Sequence, residues 1–215
     1  MKLFFAILVY LIPTVAIAQS VWEKPEVNDN EPRQKEQVKA VTADPDAKYL
    51  GGAVPMVDGK VEWQLDVDVP GKSADEIYGT MLQYLTALTK SDNQLEGSCV
   101  ALVNKTDHII AANVREWLVF TDKLLALDRA KFYYTVIAYC KDGHLTVTLG
   151  RISYRYEDGG DDNDGTLYKA EEWINDENAL NKKKTKMYRG PKKFRKKTID
   201  RKDYLFDSIK KAVLK

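Results

Sequence analysis

The sequence predicts an α+β domain built as an antiparallel sheet with helices on one face. Residues 61–69 alternate dry and wet, a capped amphipathic helix follows at once, and four more strand-like runs then arrive in succession. Helical periodicity returns only near the C-terminus. Strands grouped after a single helix and joined by short turns pair with their neighbours in antiparallel fashion, and the helices collect on one side.

The first strand has Val61, Trp63, Leu65, Val67 and Val69 on one face and Glu62, Gln64, Asp66 and Asp68 on the other, the period-two pattern of a half-buried strand. Pro70-Gly71 ends it. Ser73 and Glu76 then form a capping box, in which the serine oxygen accepts from a free helix amide and the glutamate reaches back to the cap. Ile77, Met81, Tyr84, Leu85 and Leu88 follow at spacings of three and four, one apolar face of a helix. Residues 98–103 make a short apolar strand, and Asn104-Lys105-Thr106-Asp107 turns it into residues 108–120, where Ile110, Ala112, Val114, Leu118 and Phe120 share a face. Residues 121–130 read as a connection with a helical turn at Leu124-Leu125.

Residues 131–140 are strongly β-forming, with Phe132, Tyr134, Val136 and Ala138 opposite Tyr133, Thr135, Ile137 and Tyr139. Asp142-Gly143 fits a two-residue type I′ hairpin, whose central residues both need positive φ. On the return strand Leu145, Val147 and Leu149 lie on one phase and Ile152, Tyr154 and Tyr156 on the other. The change at Gly150 predicts a β-bulge. Residues 168–175 and 200–214 read as helices, the second with Leu205, Phe206, Ile209 and Val213 turned inward. The predicted order is β-α-β-β-β-β followed by C-terminal helices.

Ahead of this domain, Lys2, the apolar run of residues 3–12 and the small residues Ala16-Ile17-Ala18 make the three-part pattern of a secretory signal peptide over residues 1–18. A bilayer span takes roughly 20 apolar residues; this run is shorter and is broken by Pro13 and Thr14. No cysteine follows it to carry a lipid. The expected product starts at Gln19, has no transmembrane span, is not a lipoprotein, and is soluble in the periplasm or outside the cell. Residues 19–48 are polar and interrupted by Pro25, Pro32 and Pro45. They bury too little surface to offset their ordering entropy and read as a flexible arm. Residues 49–157 make the sheet domain. Residues 158–215 add an acidic loop, a basic stretch and a C-terminal helix that docks on the same domain.

With 33 basic and 32 acidic residues the chain is close to neutral, which argues against a whole-molecule nucleic-acid binder. The charges are segregated, however. Residues 182–197 hold Lys182, Lys183, Lys184, Lys186, Arg189, Lys192, Lys193, Arg195, Lys196 and Lys197 without one acid, next to an acidic stretch over residues 157–177. Two readings apply: a solvated stretch neutralised by its acidic neighbour, or a polyanion site for lipopolysaccharide, an acidic glycan or nucleic acid. Cys99 and Cys140 invite a disulfide in an exported chain, and closing that loop would contribute roughly 4 kcal/mol. Both also sit in apolar strand-like runs, where free thiols pack as small hydrophobes.

Catalytic patterns are weak. His108 and His144 fall at strand ends, no G-x-S-x-G elbow accompanies them, and no zinc-ligand spacing occurs. Aligning Gly165 with the glycine of a calcium loop places Asp162, Asp164, Leu167 and Glu171 correctly but puts Gly160 where the first carboxylate belongs. No catalytic residue, metal or cofactor is implied.

Five strings remain: Val54-Pro55-Met56-Val57-Asp58-Gly59-Lys60-Val61, Val69-Pro70-Gly71-Lys72-Ser73, the Lys141-Asp142-Gly143 hairpin, Glu171-Glu172-Trp173-Ile174-Asn175-Asp176, and Lys197-Thr198-Ile199-Asp200-Arg201-Lys202-Asp203. Together they resemble a family of exported proteins, mainly from Bacteroidetes, whose domain of unknown function is described as having a TATA-binding-protein-like (TBP-like) fold. The resemblance runs from about residue 49 to the C-terminus. It implies a fold and an exported location but no reaction, because none of the strings is catalytic. The function expected is a non-enzymatic binding module of the bacterial envelope, with Tyr133 and Tyr139 facing a protein or glycan partner. Polyanion binding through Lys182, Lys183, Lys184, Lys192, Lys193 and Arg195 is the first alternative, and an enzyme of unrecognised type the second.

Overall fold

A computed structural model describes residues 44–123, 126–156 and 165–215. Two short strands frame the sheet edge, β1 (Met56–Val57) and β7 (Thr166–Lys169), around the five expected from the sequence: β2 (Lys60–Asp68), β3 (Cys99–Asn104), β4 (Ile109–Lys123), β5 (Ala126–Lys141) and β6 (His144–Tyr156). The order across the sheet is β1-β2-β6-β5-β4-β3, with every pairing antiparallel. β7 continues the line of β2 along the far half of β6. The helices are α1 (Ala74–Leu88), the single turns α2 (Ala170–Trp173) and α3 (Asp176–Ala179), and the long α4 (Arg189–Val213). Among the described residues, no helix is long and apolar enough to cross a membrane.

Local chemistry sets most of these boundaries. The Ser73–Glu76 capping box forms on both sides, and Ile77, Met81 and Leu85 go fully inward with Tyr84 and Leu88 partly covered. The bulge falls where the phase of β6 changes: Tyr133 pairs with Ser153 but Thr135 with Gly150, so one residue of β5 faces two of β6. Arg151 absorbs the extra residue with φ of 54°.

Three expectations need correction. The type I′ turn is at Asp58-Gly59, where both φ are positive (47° and 72°) and Val57 pairs with Lys60. In the Asp142-Gly143 hairpin only Gly143 is left-handed, with φ of 69°. That tip is strapped to the joint between β2 and α1: Ala74 N–H donates to the Asp142 carboxylate (2.7 Å), Gly143 N–H to Lys72 O (2.9 Å) and Val69 N–H to Gly143 O (2.8 Å). Residues 121–130 are largely strand, because β4 and β5 stay paired out to Lys123 and Ala126; Leu124-Leu125 lie outside the described residues. Finally, residues 168–175 split between β7 and α2, and α4 starts at Arg189 rather than near residue 200. Pro191 sits in the first turn of α4, where its missing N–H is no loss.

The core lies between one face of the sheet and the helices. Phe132 and Tyr154 stack at 5.4 Å, Phe194 of α4 meets Tyr154 edge-on at 5.1 Å, and the buried Tyr154 and Thr198 hydroxyls share a 2.7 Å hydrogen bond. Two arginines of α4 enter this apolar layer. Arg195 is fully buried; it donates to the carbonyls of Tyr49 (2.6 Å), Leu50 (2.8 Å) and Ile174 (2.6 Å) and to the Asp176 carboxylate (2.7 Å). Arg201 grips Glu116 with both arms of its guanidinium, at 2.7 Å each. Glu116, 1% exposed in the middle of β4, also accepts from Tyr134 (3.0 Å) and Gln94 (2.9 Å). Burial pushes the Tyr134 phenol well up, and Glu116 beside it pushes further the same way. Burial alone would lower Arg201, but the Glu116 carboxylate overrides this and raises it.

Glu116→Ala strands a half-buried guanidinium and is expected to cost about 3 kcal/mol of unfolding free energy, read from urea denaturation with an unchanged slope. Glu116→Met combined with Arg201→Met should recover much of that loss; a single variant within about 1 kcal/mol of wild type would refute the role given to the pair.

Candidate functional site

α1, α2 and α4 all pack on the inner sheet face. The outer face is therefore built from the alternate strand positions that the core leaves over. Its register is fixed by pairing. Arg115, Tyr133, Ser153 and Lys169 stand opposite one another across β4, β5, β6 and β7, and Trp117, Lys131, Arg155 and Leu167 make the next row. Arg129 lies opposite Val119, one step beyond. A shallow concavity of about 350 Å³ opens among Asn113, Arg115, Tyr133, Thr135, Arg151 and Leu167. A second, of about 360 Å³, includes Trp117, Leu127 and Arg129.

The groups in this half are cationic, and two of them are held in place. The Arg129 guanidinium lies 3.6 Å from the centre of the Trp117 ring, a stacked arrangement that orders a side chain otherwise free to swing. Arg115 folds across Gly97, where an added Cβ would stand 2.4 Å from its Nη1, and that nitrogen donates to Glu96 O at 3.5 Å. Arg151 is exposed because the bulge turns it outward.

The opposite end of the face is acidic. Gln64 and Thr146 donate to Asp66 (2.7 and 2.8 Å), and His144 lies 2.9 Å from Asp68 and 3.4 Å from Asp66. Gln64, Thr146 and His144 hold the Asp66 carboxyl below its usual range, in that order of effect. The hydrogen bond with Asp68, aided by Asp66, raises His144 above the ordinary histidine value.

This sheet-and-helix arrangement has known relatives. The family model for a domain of unknown function (DUF4468) with TBP-like fold matches residues 63–155. The crystal structure of a DUF4468 family protein from Bacteroides ovatus ATCC 8483 is 38% identical, with a TM-score of 0.73, over 79% of this chain and 95% of that one. The chain belongs to the DUF4468 family. A TBP-like protein from Parabacteroides distasonis ATCC 8503 is similar at 25% identity and a TM-score of 0.61, over 74% of this chain and 96% of that one. No curated protein matches.

In this DUF4468 chain the residues singled out from the sequence are dispersed. Tyr133 is half-buried and Tyr139 is 38% exposed, both on the outer face; six residues of strand separate them by about 20 Å. The basic stretch lies on the other side of the molecule's sheet, and the fold uses much of it internally. Lys192 and Lys196 both pair with Asp46 (2.8 and 2.7 Å), Lys193 with Asp128 (2.7 Å), and Lys184 with Asp176 (3.4 Å). Arg195 has to be withdrawn as a surface binding residue: it is fully buried and saturated by the four acceptors described above. Lys182 and Lys183 are exposed in the turn before α4, with no ion-pair partner among the described residues.

The disulfide is also ruled out, because both thiols are free. Cys99 pairs across β4 with Asn113, and Asn113 with Thr135, which leaves Cys140 about 17 Å further along β5 and two strands away. A bridge needs Cα atoms within about 7 Å. Of the calcium-loop positions, Gly160, Asp162 and Asp164 lie outside the described residues; Glu171 accepts from Val61 N–H at 3.2 Å, and Leu167 is a strand residue. Residues 1–43, with the signal peptide and most of the expected arm, also lie outside them.

The outer-face cations were missed because they come from three strands at positions that look like ordinary solvent-facing residues. Only strand register assembles them. The one usable signal was the lack of acids at the wet positions 113–119 of β4 and 129–139 of β5, in contrast with β2; the exposed Asp122 lies beyond them, opposite Leu127.

Cys99 is expected to react with a thiol reagent in the native protein, while Cys140, buried and with its thiol pushed up to about 11, should react only on unfolding. Intact mass after alkylation counts the labels. Because the folded pKa of His144 lies above the unfolded one, its stabilisation is complete below the unfolded value and is lost as pH rises through the folded value. His144→Asn should therefore flatten the fall in thermal stability across that window, and an NMR titration placing His144 at or below the ordinary histidine value would contradict this.

Proposed function

We propose that this protein is an exported, non-enzymatic binding module of the bacterial envelope, and that the outer face of its sheet receives the partner. The observation that carries this reading is the asymmetry of the sheet: the inner face is closed by α1, α2 and α4, while the outer face presents ordered cations, aromatic rings and neutral hydrogen-bonding groups. Binding surfaces of this kind depend on side chains held in place before the partner arrives. The buried ionisable groups support binding over catalysis. Glu116 and Arg195 are saturated by protein partners, and neither lines the two concavities of the outer face. Export is supported by the charged start, apolar run and Ala16-Ile17-Ala18 site of residues 1–18.

The test has two parts. Mass spectrometry of the protein recovered from the cell envelope should find Gln19 at its N-terminus, and an intact Met1 would refute export. A photo-crosslinking residue placed at Tyr133 should trap a discrete partner in the native envelope, and the same probe at Tyr204, exposed on the helical side, should not. Equal trapping at both positions, or none at Tyr133, would overturn the assignment of the outer face.

A further inference from the structure

The geometry points to the basic half of the outer sheet face as a site for an acidic polysaccharide whose charge is carried by uronate carboxylates. This deepens the binding-module reading and rests on it.

Charge is the first argument. Arg115, Arg129 and Arg151 are exposed on one face, and no carboxylate among the described residues pairs with any of them. Lys131 and Arg155 stand in the next row of the same face. On α4, by contrast, three of the lysines are already matched by Asp46 and Asp128. Among the described residues, the three arginines thus make a cluster of unpaired positive charge on the sheet, apart from the exposed Lys182 and Lys183 of the basic stretch.

Geometry is the second. A guanidinium offers two parallel N–H donors that match the two oxygens of a carboxylate. The three arginines are spread over neighbouring strands, about 4.8 Å apart, so they suit a chain of carboxylates better than one anion. Between them lie groups that donate and accept without charge: Asn113 and Thr135, bonded to each other at 3.1 Å, with Ser153 and the edge of Tyr133. Such groups suit sugar hydroxyls. One face of Trp117 is already covered by Arg129, which removes the open aromatic platform that single-stranded nucleic acid needs for base stacking.

The experiment uses the purified full chain and polygalacturonate, with neutral dextran and a single-stranded oligonucleotide as the other arms, measured by titration calorimetry at low salt. Polygalacturonate should bind, weaken as salt screens the charges, and outcompete the oligonucleotide; dextran should give no heat. R115E/R129E/R151E should weaken polygalacturonate binding about tenfold or more, with the thermal midpoint near that of wild type. The Arg→Gln triple variant serves if charge reversal prevents folding. K182E/K183E should retain binding. No binding by wild type, tighter binding of the oligonucleotide, or loss confined to K182E/K183E would each overturn the inference. Trapping of a partner at Tyr133 in the envelope, together with silence toward polygalacturonate, would overturn the ligand class while leaving the outer face as the binding surface.

Discussion

Helix α4 has to cross the apolar inner face of the sheet while carrying one of the most basic segments of the chain, and the fold depends on how two of its arginines are neutralised there. Arg195 enters fully buried and takes three backbone carbonyls and Asp176 as partners, drawn from the N-terminal turn at Tyr49-Leu50 and from the α2–α3 region. Arg201, six residues on, reaches the only buried carboxylate of β4. Leaving either cation unpaired in that layer would cost several kcal/mol, so each one ties α4 to a distant part of the chain in a single geometry. The pairs specify where the helix sits more than they add to net stability, because an apolar replacement of a buried pair is often neutral.

That placement decides the character of both sheet faces. With α4 beside α1, the inner side is closed by Phe194, Ile199, Leu205, Ile209 and Val213. The lysines flanking the buried positions fall at the helix margins, where Asp46 and Asp128 meet them. Among the described residues, no helix packs on the other side. The outer face keeps a bipolar pattern, acidic along β2 with His144 and basic along β4, β5 and the bulged half of β6. The bulge does two things at once: it restores Ile152 and Tyr154 to the core and turns Arg151 out into the same concavity as Arg115.

Most of the architecture was readable because it rests on short-range rules. Alternation marks β2 and β6, the capping box marks the start of α1, and the change of phase at Gly150 marks the bulge. What escaped is equally instructive. The first half of α4 did not read as a helix because the polar Arg195, Thr198 and Arg201 stand among its inward positions beside Phe194 and Ile199 and interrupt the apolar stripe. Glu116 sits in phase with Ile110, Ala112, Val114 and Leu118, yet a lone glutamate in an apolar face gives no hint of its partner 85 residues away. The far end of the β4–β5 hairpin looked like a connection, since Asp122, Asp128 and Arg129 are poor strand formers and only their cross-strand pairing keeps them extended.

The sequence by itself determined the class of fold, the order of its main elements and which face of each strand is dry, because these follow from periods of two and of about four residues. Tertiary structure alone decided which charges are available. Ten cations adjacent in sequence turned out to be partly buried and partly paired, since a helix distributes consecutive residues around its whole circumference. Three arginines far apart in sequence came to share one half of a sheet face, since strand register places residues by hydrogen-bonded pairing rather than by their order along the chain.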